Sequence, residues 1–166
     1  MIEIISESTG LSFHRVRLIV KECSTVFQEA IQDGKDIDTG IFKIVYTLPG
    51  GLIYKNKEVD WAEMEGEVYR RTGLDYGDVK IVLTRYLTML TGYVLNGQSV
   101  TLKGVGYLYP KELEDGTTDI QYRIAPSLTN KKCGEREFIT MENGAMTVGT
   151  YSGEDLRLSM SVNLLK

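Results

Sequence analysis

Thr9-Gly10-Leu11-Ser12-Phe13 returns further along the chain as Thr72-Gly73-Leu74-Asp75-Tyr76, at an offset of 72 − 9 = 63 residues. The same offset carries Val16 onto Val79, Arg17 onto Lys80, Ile19 onto Val82, Val26 onto Met89, Ile31 onto Val94 and Gly34 onto Gly97. The paired glycines keep their spacing, since 34 − 10 and 97 − 73 both give 24. After a further shift of three residues, Gly40-Ile41-Phe42 falls on Gly106-Tyr107-Leu108. Chemical types kept in order over this length read as an internal repeat of one supersecondary unit.

Each copy has the same physical grammar. A short helix is expected over 2–9 and over 61–71, the second opened by the capping pair Asp60 and Glu63. Gly10 and Gly73 suit the left-handed residue that ends a helix, and Ser12 and Asp75 suit the N-cap of the next one. That next helix is long, 13–32 and 76–95. Val16, Ile19, Cys23, Val26, Phe27 and Ala30 recur at steps of three and four, as do Val79, Val82, Leu83, Tyr86, Leu90 and Val94, so each helix has one apolar face. Strand-forming residues follow at 37–46 and 100–109, and Pro49-Gly50-Gly51 is a turn leading to a returning strand at 52–54. Glu114-Asp115-Gly116 is a second turn, 119–125 alternates like a strand, and 127–135 reads as loop. The tail reads as a β-meander: strands at 138–141 and 146–151 around Asn143-Gly144, then an alternating row from Leu156 to Leu164. The expected class is α+β, in three parts: 1–55, 56–126 and 127–166.

Helix, T-G-L-S/D turn, long amphipathic helix, glycine and strand pair together resemble the HU/IHF family of bacterial architectural proteins. The stretches that carry the resemblance are 7–46 and 68–109. The run Leu95-Asn96-Gly97-Gln98-Ser99-Val100-Thr101-Leu102-Lys103-Gly104-Val105-Gly106-Tyr107 is similar to the family's junction between helical hairpin and sheet. The resemblance implies two tandem helical-hairpin modules with short antiparallel sheets. Members of the family are dimers of interlocked hairpins. Two hairpins in one chain therefore imply either a pseudo-dimer within the chain or modules that pair between chains, and both arrangements bury the apolar stripes.

The family bends DNA with basic arms, each tipped by a proline that wedges between base pairs. Here the first copy offers only Leu48-Pro49-Gly50-Gly51, and the second has Arg123 and Pro126 followed by Lys131, Lys132 and Arg136, diluted by Glu135 and Glu137. The net charge is −4 and the isoelectric point about 5.1, the wrong sign for a chain that must neutralise phosphates. The DNA-bending apparatus thus reads as reduced. An acidic HU/IHF-like chain is similar to virion proteins of crAss-like tailed bacteriophages, and that resemblance implies a structural role in a portal–tail connector ring. It implies a homo-oligomer with other virion proteins as partners, made in the host cytoplasm and located in the tail. The alternative is an architectural DNA-binding protein whose contacts are Arg123, Pro126, Lys131, Lys132 and Arg136. The 10 tyrosines lean toward interfaces, because a tyrosine buries area and keeps a polar tip.

Catalysis is not expected. His14 is the only histidine and stands at a helix start, no cysteine lies at metal-ligand spacing, and no nucleophile-elbow pattern occurs. Gly104-Val105-Gly106 opens a strand and lacks the third glycine of a dinucleotide fingerprint. Glu63, Glu65 and Glu67, like Glu112, Glu114 and Asp115, read as solvated faces, and Arg70-Arg71 as surface charge. Cys23 and Cys133 read as free thiols, the first in a helix and the second in a loop. No cofactor, metal, small-molecule substrate or membrane is expected: no apolar run nears the roughly 20 residues of a spanning helix, and the N-terminal residues lack a secretory pattern.

Overall fold

The computed structural model describes residues 1–47, 53–55, 57–125, 136–142, 145–151 and 157–162, with side chains described for 1–45, 57–123 and 125. The class is α+β. The elements run α1 (Ile2–Thr9), α2 (Phe13–Gln32), β1 (Asp36–Asp38), β2 (Phe42–Thr47), β3 (Ile53–Lys55), β4 (Glu58–Asp60), α3 (Trp61–Thr72), α4 (Tyr76–Leu95), β5 (Val100–Leu102), β6 (Gly106–Glu112), β7 (Thr118–Ile124), β8 (Arg136–Glu142), β9 (Ala145–Tyr151) and β10 (Arg157–Val162).

The repeat extends to individual hydrogen bonds. Thr9 Oγ1 donates to the Ile5 carbonyl at 2.7 Å, and Thr72 Oγ1 donates to that of Val68 at 2.9 Å. Gly10 and Gly73, at φ +73° and +65°, donate to the carbonyls of Ser6 and Tyr69, both at 3.0 Å. The Ser12 and Asp75 side chains accept from the amides of Arg15 and Asp78, both at 3.2 Å, so each long helix starts on a side-chain cap. Both long helices end in the same pair of bonds: Gly34 and Lys35 donate to Ile31 and Ala30, while Gly97 and Gln98 donate to Val94 and Tyr93. That pattern terminates a helix and turns the chain toward a strand.

The helices of the two copies interlock. α2 packs on α3 and α4, and α1 reaches across to α4. One apolar core runs through both copies, from Ile5, Ile19 and Phe27 to Met64, Leu83 and Leu90. Phe27 meets Trp61 with ring centroids 6.3 Å apart. Cys23 and Tyr86 occupy equivalent positions, since 23 + 63 = 86, both are buried, and they lie close enough to influence each other electrostatically. Equivalent positions of α2 and α4 thus lie near each other where the two helices pack, as an approximate two-fold relation between them requires. Of the two arrangements open at the sequence level, the hairpins pair within the chain.

The strand expected over 37–46 is two strands, β1 and β2, and that over 100–109 is β5 and β6; each pair is antiparallel. The first turn is two residues long, with the Thr39 amide donating to the Phe42 carbonyl at 2.9 Å, and in the second the Val105 amide donates to the Leu102 carbonyl. The second turn is therefore one residue longer, and the repeat continues at an offset of 64. Phe42 matches Gly106 and Ile44 matches Leu108, which corrects the three-residue shift read from Gly40-Ile41-Phe42. Burial agrees: Thr39, Phe42 and Ile44 are buried in one copy, and Leu102, Gly106 and Leu108 in the other.

Each second strand then gains a third. β7 pairs antiparallel with β6, Gly106 opposite Ile124. β10 pairs antiparallel with β2, Phe42 opposite Val162. The final strand thus returns to complete the sheet of the first copy, in the place β7 holds in the second, and β10 lies beside β7. β8 and β9 form the expected hairpin and add β3 on the far edge of β8, so β10 does not continue onto β9 as a simple meander would. β4 joins β1 in parallel, an unanticipated pairing, and its last residue, Asp60, caps α3 by accepting from the Glu63 amide at 2.8 Å. Pro49, Gly50, Gly51, Asn143, Gly144 and the expected loop at 127–135 lie outside the described residues, as does Cys133.

Candidate functional site

Among the described residues, three places stand out: the two grooves where helices of opposite copies cross, and the tip of the β6–β7 hairpin. The grooves are related by the repeat. The α2–α3 crossing is lined by Val26, Glu29, Ala30, Asp33, Glu67 and Arg71; the α4–α1 crossing has Met89, Gly92, Tyr93, Asn96, Ile4 and Ser8 at the equivalent positions.

The first crossing is closed by charge. Arg71 Nη1 donates to Glu29 Oε1 at 3.0 Å, and its Nε donates to Glu67 Oε1 at 2.9 Å. A second guanidinium nitrogen also reaches Glu29, and Arg70 reaches Glu67. Hydrogen bonds from Arg71 hold the Glu29 carboxyl below its usual range. Those from Arg70, then Arg71, do the same for Glu67. Arg71 is therefore engaged in a cross-copy ion pair with Glu29, while Arg70 stays on the surface and pairs only with Glu67 of its own helix. Glu65 departs from the solvated reading as well. It is 5% exposed, desolvation raises its pKa, and the Tyr76 hydroxyl lies 3.4 Å from it.

The second crossing has lost these groups. Glycine replaces Glu29, serine replaces Arg71 and isoleucine replaces Glu67. What remains is a mainly apolar groove of about 690 Å³, against about 310 Å³ for the charged one. Ile4 is 50% exposed and Ile81 41% exposed along it, and Arg85 stands in its wall. None of the ion pairs among the described residues uses Arg85.

The β6–β7 hairpin ends in a tight turn. The Leu113 amide donates to the Thr117 carbonyl at 2.8 Å and the Thr117 amide to Asp115 Oδ1 at 2.9 Å. The Thr117 hydroxyl also donates to Asp115, and these bonds hold the Asp115 carboxyl below its usual range. Glu112, Leu113, Glu114 and Asp115 are all exposed, so the tip is a leucine among three carboxylates. It sits beside the end of α4, where Pro110, Glu112 and Thr118 face Leu95, Asn96 and Gly97.

Of the residues named as candidate DNA contacts, two fall within the described residues, on different strands. Arg123 is exposed on β7, opposite Tyr107, near the base of the hairpin and away from its tip. Arg136 begins β8, opposite Tyr151. Pro126, Lys131 and Lys132 lie outside the described residues. On the sheet of the first copy, Lys43 is held by Asp38 at 3.4 Å and Glu58 at 3.3 Å. His14 is exposed, and Gly104-Val105 form the turn before β6. Cys23 is buried, which pushes its thiol up to about 12 and leaves little thiolate for reaction. Among the described residues no cluster of three or more His, Cys, Asp or Glu could hold a metal, and no helix is long and apolar enough to cross a membrane.

The groove asymmetry was missed in the sequence, although its signal was there. The offset of 63 already sets Glu29 against Gly92, Arg71 against Ser8 and Glu67 against Ile4. What no spacing discloses is that these three positions meet, because that depends on which helices cross. No family model matches the chain, and no curated protein matches its sequence.

Proposed function

We propose that this chain is a structural assembly protein built from two HU/IHF-like modules fused into a pseudo-dimer, and that it serves as a bacteriophage virion component in a portal–tail connector ring. The observation that carries this reading is the hairpin tip. A DNA-bending arm of the family would end there in a basic, proline-tipped wedge, and this one ends in Glu112, Leu113, Glu114 and Asp115. Three carboxylates repel a phosphate backbone. Three further features support the reading. Lys43 is neutralised by two carboxylates, Arg70 and Arg71 are used inside the molecule, and the net charge is −4. The pairing of the modules within one chain agrees with it too, since that frees the outer surfaces for contacts with other copies and other virion proteins.

The test is a gel-shift titration of the protein against duplex DNA across salt. The expected result is no retained complex at about 50 mM salt, with particles larger than a monomer by light scattering. Tight duplex binding that collapses between about 50 and 200 mM salt would instead identify an architectural DNA-binding protein using the Arg123–Arg136 region.

A further inference from the structure

We infer that the apolar groove between α1 and α4 receives the β6–β7 hairpin tip of a second copy of this chain; the inference rests on the assembly reading above and names the contact that would build it. The repeat shows what the groove lacks. At the equivalent crossing, an arginine from one copy of the repeat spans to a carboxylate on the other and closes the surface. Here Ser8 and Gly92 leave the space open, and Ile4 and Ile81 stay half exposed along it. An open apolar groove rimmed by polar groups is the form of an interaction site.

The occupant follows from charge and shape. The groove supplies an apolar floor and one cation, Arg85, outside every ion pair among the described residues. The tip supplies the converse, an exposed Leu113 between Glu112 and Glu114. Its turn is held by the Leu113–Thr117 and Asp115–Thr117 hydrogen bonds, so little ordering is needed on docking. The contact is between molecules. Within one chain the tip rests at the end of α4 by Asn96, and Arg85 lies 96 − 85 = 11 residues back, roughly 16 Å along the helix. The tip adjoins the groove at its Asn96 end, whereas Ile81 and Arg85 line the part farther back along α4, so each copy offers a groove and a tip, and the contact can pass from copy to copy as a ring requires.

The test is sedimentation velocity on the full chain, over a concentration series, for wild type, Ile81→Glu, Leu113→Asp and an equimolar mixture of the two variants. Both substituted side chains are exposed, and circular dichroism with thermal melting checks that the fold is kept. Wild type is expected to self-associate, each variant alone to stay monomeric, and the mixture to recover a one-to-one pair, because one partner keeps its tip and the other its groove. Arg85→Glu is expected to weaken association at least tenfold, and adding Glu112→Arg and Glu114→Arg to restore it. Association of both variants at wild-type strength would overturn the docking and leave the assembly reading standing. A wild-type monomer would overturn the docking and count against self-assembly as well, and a monomer that also bound duplex with a steep salt slope would replace the assembly reading by the DNA-binding one.

Discussion

A methyl group on Gly106 would lie 2.1 Å from the Arg123 carbonyl oxygen and 2.9 Å from the Tyr122 ring, at a backbone φ of +149°. β7 can approach β6 closely only because that position has no side chain. Gly106→Ala should therefore cost about 3 kcal/mol or more in a urea titration, through strain and loss of the β6–β7 ladder. A smaller effect belongs to Arg71, whose partners are partly exposed, so solvent screens the attraction. Arg71→Met is expected to cost roughly 1 kcal/mol or less at pH 7. Glu29 and Glu67 have folded pKa values below their unfolded ones. Their contribution is therefore full above the unfolded value, about 4.3, and is lost as pH falls through the folded values. The gap between wild type and Arg71→Met should close in melts taken from about pH 5 downward; a gap that persists in strong acid would show that packing of the arginine stem, not charge, is what was lost.

The third strand of each sheet comes from a different distance along the chain. β7 follows β6 across a short turn, whereas β10 is separated from β2 by most of the molecule. Ending the chain after Tyr151 removes the β10 ladder, whose register runs from Arg157 opposite Thr47 to Val162 opposite Phe42. Amide hydrogen exchange on that shortened chain is expected to rise several-fold at the β2 amides over 42–47 while those over 106–112 keep their protection. Equal deprotection of both strands would mean that the two sheets do not hold independently. The helix ends behaved as local signals should. Ser12, Asp60 and Asp75 cap where the sequence places them, because a cap is settled within about three residues of itself. Strand pairing is not local, so the split at Thr39–Ile41, the parallel partner β4 and the destination of β10 were illegible in spacing alone.

Trp61, the single tryptophan, starts a helix of the second copy and packs on Phe27 of the first, so its fluorescence reports the junction between copies. With one core shared by both, urea unfolding followed by Trp61 emission and by far-ultraviolet circular dichroism should give coincident, single transitions. A separate early loss of the Trp61 signal would mean that the hairpins come apart before they unfold. The same interlock sets the outer surface. It commits Arg71, Glu29 and Glu67 to one crossing and leaves Ile4 and Arg85 exposed at the other.

By itself the sequence determined the two helical hairpins, their caps and glycine ends, their buried stripes and the negative balance of charge, because each depends on neighbours within a turn or two of helix or on a simple count. Only the tertiary structure decided that the hairpins embrace within one chain, that β10 closes the first sheet, that Glu65 is buried, and that one crossing is sealed by ions while its twin lies open. Those outcomes depend on which distant surfaces meet, and apolar periodicity states that a face must be covered without stating by what.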